Sequence, residues 1–270
     1  MKEMEQTEKE ISEINRLIQC GKHQEAISHA DQAISAFQEP GFGEDRCFSF
    51  ESKEQFIFFC ARLQEDEQHE PAIWSAGGEA SILMLKAYAL HELKKHQEAI
   101  ETLLLALEYN PVSTAIRFEL IENHFQLRQY GQVQKYLREL EHLVIYPNEI
   151  AQYYRRYGFL LTELHKYEQA IACYLYSMNL ERSAHAENEV AYILEACMKV
   201  TLPKGKAIIQ SMRGTELIRI LKKHGLFLSI EDDRRKIIAN GEHGQELFNA
   251  YRVLQIIKQP TYLAQNCFPS

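Results

Sequence analysis

The sequence is poor in the residues that interrupt helices. Its 270 positions hold 12 Gly and 7 Pro, too few for a loop-rich all-β fold and suited to long helices. No apolar run approaches the roughly 20 residues that span a bilayer; stretches such as Ile82–Leu85 are far shorter. The opening MKEMEQTEKE is charged and has no apolar core, so it does not read as a secretory signal. No Asn-x-Ser/Thr acceptor occurs. Six cysteines, at 20, 47, 60, 173, 197 and 267, include no C-x-x-C pair. They read as free thiols of a reducing compartment, and the expected location is the cytoplasm, with no membrane partner.

Catalytic signatures are missing as well. There is no G-x-x-x-x-G-K-[ST] loop, no G-x-G-x-x-G fingerprint and no G-x-S-x-G elbow. His91, Glu92 and His96 form H-E-x-x-x-H, one residue longer than a zincin motif. On one continuous helix five residues rotate the chain by about 500°, which sends the two imidazoles to opposite sides and denies them a shared metal. Glu231-Asp232-Asp233 lacks calcium-loop spacing, and Cys173 and Cys197 sit in apolar patterns rather than reactive ones. The expectation is a non-enzymatic protein with no catalytic residue, metal or cofactor, and no small-molecule ligand is indicated.

Charge is present but uneven. Residues 1–150 carry 14 basic and 26 acidic side chains, residues 151–270 carry 16 and 12, and the whole chain is −8. The acidic front half disfavours nucleic acid there. Residues 199–258 carry twelve Lys or Arg against six acids, which keeps a second reading open: a regulator touching nucleic acid through basic C-terminal helices. A helix-turn-helix over Ile220–Ile238 is not expected, because its reading helix would open with Glu231, Asp232 and Asp233 against phosphate.

What the chain has in abundance is a repeated helical string. GKHQEAISHADQAI, KKHQEAIETLLLAL, RQYGQVQKYLREL, HKYEQAIACYLYSM and PKGKAIIQSM align on Ala26, Ala99, Val133, Ala170 and Ala207. Successive spacings from Ala99 are 34, 37 and 37, and the first gap of 73 is about two periods. Within each string apolar residues recur at i, i+3, i+4 and i+7, as in Ile100, Leu103, Leu104, Leu107 and in Ile171, Tyr174, Leu175, Met178. Pro111 with Ser113 or Thr114, and Pro147 with Asn148, read as stop-and-restart signals.

A period near 34 with small residues at fixed offsets resembles the tetratricopeptide repeat (TPR) family. Tyr154, Tyr157, Gly158, Leu161, Ala170 and Tyr174 follow its pattern, as do Leu83, Ala87, Leu90, Ala99, Leu103, Ala106 and Pro111, and Leu17, Ala26, Ala30 and Ala33. The order of features, with CFSFESKEQFIFFCARL and then ALEYNP, RYGFLLTE and NEVAYI, further resembles bacterial proteins of that family. The resemblance implies an all-α, right-handed α-α superhelix, a TPR-like solenoid with a divergent C-terminal helical cap. Repeats are placed at 7–40, 79–112, 113–147 and 150–183, with a degenerate fifth at 187–217 in which Glu195 stands where a small residue is wanted. In domain terms, residues 1–201 are repeats with an aromatic insertion at 41–78, and 202–270 hold a degenerate repeat and C-terminal capping helices. His23 and His96 occupy a turn position where the family has Tyr, so they read as packing residues.

Within the insertion, Ser52 and Gln55 form a capping box before Phe56, Ile57, Phe59, Cys60 and Leu63. Phe48, Phe50, Phe56, Phe58, Phe59 and Trp74 read first as a seal for the core and second as an aromatic wall for a peptide. Towards the C-terminus a helix over Thr215–His224 is closed by Gly225. Further helices start at Ser229 with Asp232 and run to Asn240–Gly241, and from Gln245 to Lys258.

The resemblance also implies a partner. In such arrays the first helix of each pair lines a concave groove. Projection from the offsets puts Asn15, Met84, Tyr88, His91, Phe118, Glu122, Phe125, Arg155, Phe159 and Thr162 there, with Arg156 beside Arg155 as a carboxylate anchor. A one-residue register error would bury Phe118, Phe125 and Phe159 instead. The family's clamp for terminal carboxylates is not expected: Asn15 matches one place, but Ile11, Leu85, Ala115 and Glu119 supply no cation. The expected function is a scaffold or adaptor that binds a protein or peptide.

Overall fold

The computed structural model describes residues 2–41, 46–52, 55, 56, 59, 78–228, 231, 244, 246, 248 and 249. Helices come in pairs: α1 (Lys2–Gln19) with α2 (His23–Ile34), α3 (Glu79–Glu92) with α4 (His96–Tyr109), α5 (Thr114–Gln126) with α6 (Tyr130–Glu141), and α7 (Pro147–Glu163) with α8 (Tyr167–Leu180). A shorter α9 (Ala184–Tyr192) runs into a π-type turn at Ile193–Cys197, followed by α10 (Leu202–Ser211) and α11 (Gly214–Lys223). Among the described residues the only sheet is a parallel pair of two-residue strands, β1 (Glu39–Pro40) and β2 (Arg46–Cys47). The protein is an all-α array of helix pairs, placed where the sequence period puts them. It divides into two compact units, with the boundary between Tyr136 and Leu137, inside α6.

One backbone device makes the first four pairs. After α1, Gly21 N–H donates to Ile18 O (2.9 Å) and Lys22 N–H to Leu17 O (2.9 Å). The same two bonds recur at Lys94 and Lys95 (to His91 and Leu90), at Arg128 and Gln129 (to Phe125 and His124), and at His165 and Lys166 (to Thr162 and Leu161). This is the Schellman motif, in which a left-handed residue closes the helix end. The left-handed residues are Gly21 (φ 72°), Lys94 (61°), Arg128 (55°) and His165 (58°). Four residues after each motif's last member stand Ala26, Ala99, Val133 and Ala170, all fully buried. Each bonds back to that last member and brings the returning helix close.

In the first unit every apolar residue that carries the repeat pattern over 83–106 is buried: Leu83, Ala87, Leu90, Ala99, Leu103 and Ala106. Phe48, Phe50 and Phe59 are also buried and cluster, with ring centroids 4.6 Å (Phe48–Phe59) and 5.1 Å (Phe50–Phe59) apart. They seal the core; burying each contributes about 1.5–3 kcal/mol. The N-cap half of the capping box forms, with Gln55 N–H donating to Ser52 Oγ (3.2 Å), while Gln55 Oε1 accepts from Glu51 N–H (3.0 Å), one residue before the cap. The insertion is tied to the end of α4. Tyr109 Oη donates to Gln38 O (2.6 Å), Ser49 N–H to Tyr109 O (2.9 Å), Asn110 Nδ2 to Gln55 Oε1 (2.9 Å) and Ser113 Oγ to Glu51 Oε1 (2.9 Å). Ile57, Phe58, Cys60, Leu63 and Trp74 lie outside the described residues.

In the second unit Pro147 opens α7, and Glu149 Oε2 accepts from Ile145 N–H (2.8 Å) and Tyr146 N–H (3.0 Å). Gly158 lets α7 meet α8: a Cβ there would stand 3.0 Å from the buried Tyr174 ring. Helix α11 packs on α8 and is closed by Gly225 (φ 66°), as the sequence pattern predicts. Glu195 is exposed. The fifth repeat's register differs from the expectation. Ala207 is exposed, and Gly205 is the buried small residue, bonding back to Thr201 O (2.9 Å). The cause is the π-type turn, which lengthens the reversal. The expected helices from Ser229 to Gly241 and from Gln245 to Lys258 lie mostly outside the described residues.

Candidate functional site

The expected groove residues fall in both units. In the first unit, α3 presents Met84 (half-buried), Tyr88 (42% exposed) and His91 (half-buried), α1 presents Asn15 and α5 presents Glu122, both half-buried. Glu122 Oε1 accepts from Gln126 Nε2 one turn on (3.2 Å). The Glu92 carboxylate, reinforced by partial burial, holds the Tyr88 phenol above its ordinary range. Phe118 and Phe125 are buried, at 3% and 7% exposure, so both rings belong to the packed side of α5. Next to Phe125, burial lowers the pKa of the His124 imidazole, which bonds Gln129 (2.6 Å) and stacks on Tyr136.

In the second unit, Arg155, Arg156 and Phe159 are half-buried on α7, while Thr162 is buried and donates to Gly158 O (2.9 Å). Arg155 Nη2 pairs with Glu181 Oε2 (2.8 Å), and its Nη1 is buried with no hydrogen bond among the described residues. Burial pushes the Tyr174 phenol well up, so it stays neutral behind Gly158.

Residues 80–113 match the family model of the tetratricopeptide repeat. That segment is a tetratricopeptide repeat. The matched segment is α3, α4 and the restart at Ser113, whose Oγ accepts from Ile116 N–H (3.2 Å) to cap α5. No curated protein matches the chain. A tetratricopeptide repeat supports a protein-interaction role at the general level, and among the described residues no helix is long and apolar enough to cross a membrane.

The structure corrects one expectation about this repeat. His91 and His96 do not diverge. Helix α3 ends at Glu92 and the chain reverses at Lys94, so His96 opens the returning helix α4. Their ring centroids stand 5.0 Å apart, and both Nδ1 atoms reach Asn123 Oδ1, at 3.0 and 3.1 Å. Rotation along a single helix does not apply across a reversal. Asn123, on α5, carries no motif that would have marked it; only its place one period of 34 after the buried Ala89 hints at a shared inner position.

Proposed function

We propose that the chain is a protein- or peptide-binding scaffold whose first-helix faces hold a partner segment. The observation that carries the reading is Arg155. Its guanidinium pairs with Glu181 at 2.8 Å, with side-chain exposures of 17% and 44%, so the ion pair lies at the surface of the unit. Such a site favours an acidic segment, whose carboxylate takes the place of Glu181 on the guanidinium. Arg156 and Phe159 flank it on the same helix, adding a second cation and an aromatic surface. In the first unit, Asn15, Met84, Tyr88, His91 and Glu122 supply a mixed polar and aromatic face, while Phe118, Phe125 and Thr162 support the faces from behind.

Affinity capture with mass spectrometry, run on the natural chain and on the Arg155→Glu/Arg156→Glu variant, tests the reading. Partners held by the natural chain and lost by the variant, at unchanged helicity by circular dichroism, are the expected result. Equal capture by both removes this face from the site. Glu181→Gln, which releases Arg155, is expected to keep or tighten that capture.

A further inference from the structure

We propose that His91, His96 and Asn123 form a binding site for a divalent transition-metal ion of the zinc class, with His91 Nδ1, His96 Nδ1 and Asn123 Oδ1 as ligands. The three side chains come from three successive helices: the last turn of α3, the first residue of α4 and the inner face of α5. Asn123 is almost fully buried, and its Nδ2 donates to Glu119 O (3.0 Å), which fixes the amide so that Oδ1 faces both imidazoles. Both Nδ1 atoms lie against that oxygen, at 3.0 and 3.1 Å. Two ligands on a tetrahedral zinc with bonds of about 2.1 Å stand about 3.4 Å apart, so the two nitrogen–oxygen pairs open by about 0.3–0.4 Å to admit the ion. The ring centroids, 5.0 Å apart at an interplanar angle of 70°, let two imidazoles share one ion without stacking.

The donor set fits the ion. Imidazole nitrogen suits zinc, copper and nickel, and a site with three protein ligands leaves the fourth position to water. His91 and His96 are both half-buried, so water and the ion reach them from the exposed side. Without the ion, each Nδ1 carries a hydrogen and donates to Oδ1. The ion takes the place of those two hydrogens, releasing them to solvent or to each ring's Nε2. The cluster joins helices of two consecutive repeats, so an ion there cross-links them.

Long-range proton–nitrogen spectra of the full chain, labelled with nitrogen-15 histidine and titrated with Zn²⁺ under reducing conditions, test this. The expected result is metal-bound Nδ1 signals for His91 and His96. His96→Gln is expected to weaken binding at this site at least about 10–100-fold, whereas His29→Gln, in the first repeat, leaves it unchanged. Asn123→Asp, which replaces a neutral oxygen with a charged one, is expected to tighten binding. If the His91 and His96 signals do not move at millimolar Zn²⁺, or if His96→Gln binds as well as the natural chain, the cluster is a hydrogen-bonded pair only and the proposal falls.

Discussion

The turns after α1, α3, α5 and α7 and the turn after α9 perform one task in two ways. In the first four, nine residues separate the carbonyl that receives the long Schellman bond from the buried small residue of the returning helix: Leu17 to Ala26, Leu90 to Ala99, His124 to Val133, Leu161 to Ala170. In the fifth, Leu194 to Gly205 takes eleven. There Met198 N–H reaches back to Ile193 O and Val200 N–H to Leu194 O, both 2.9 Å. The short reversal forces close approach, and the long one leaves slack. The glycines record the difference. A Cβ on Gly158 would press on Tyr174 at 3.0 Å, whereas one on Gly205 would meet Leu194 Cδ1 at an ordinary 3.4 Å.

Substitutions matched across the two kinds of repeat can break this comparison. The largest effect is expected at the buried Ala. Ala170→Leu adds volume where nothing is exposed and is expected to cost about 1–3 kcal/mol, whereas Ala207→Leu, on the exposed side of α10, stays within about 0.5 kcal/mol. Urea denaturation followed by circular dichroism reads both, and equal losses would place Ala207 in the core. Next come the glycines. Gly205→Ala is expected to gain about 0.5–1 kcal/mol from helix propensity, and Gly158→Ala to lose stability because the buried Tyr174 ring must move. A gain at both positions would show that α7 and α8 have slack too. The smallest effect concerns the left-handed residues. Lys94→Gly relieves a positive φ of 61° and is expected to stabilise by about 0.5–1 kcal/mol, with Lys199→Gly (φ 54°) similar because both turns need that conformation. A rise in melting temperature for one and not the other would separate the two turns in strain as well as in length.

Much of the array was legible because its repeating element is a steric rule. A small residue must follow each tight reversal, and Ala26, Ala99 and Ala170 announce it. Val133 was recognisable only through its spacing. The fifth register was not legible, since a π-type turn adds residues without a compositional mark, and so Ala207 stood in for Gly205. Burial sorts the candidate face residues without testing what they bind. Tyr88 is exposed and Arg155 and Arg156 are half-buried, but Phe118, Phe125 and Thr162 turned inward, because a helix in such an array is covered on two flanks and apolar residues occur on each. The meeting of His91 with His96 and Asn123 could not be read at all. It depends on where the chain reverses and on a partner 27 residues further on, a relation no local pattern encodes.

The bonds that join the aromatic insertion to the end of α4 have a consequence for how this protein can change. Tyr109, Asn110 and Ser113 belong to the corner between two repeats, yet the Tyr109 carbonyl, the Asn110 amide and the Ser113 hydroxyl are completed by Ser49, Gln55 and Glu51. Exchanging the insertion for an ordinary linker would strand those groups at once, so loop and corner must be inherited, or transplanted into another array, as a single part.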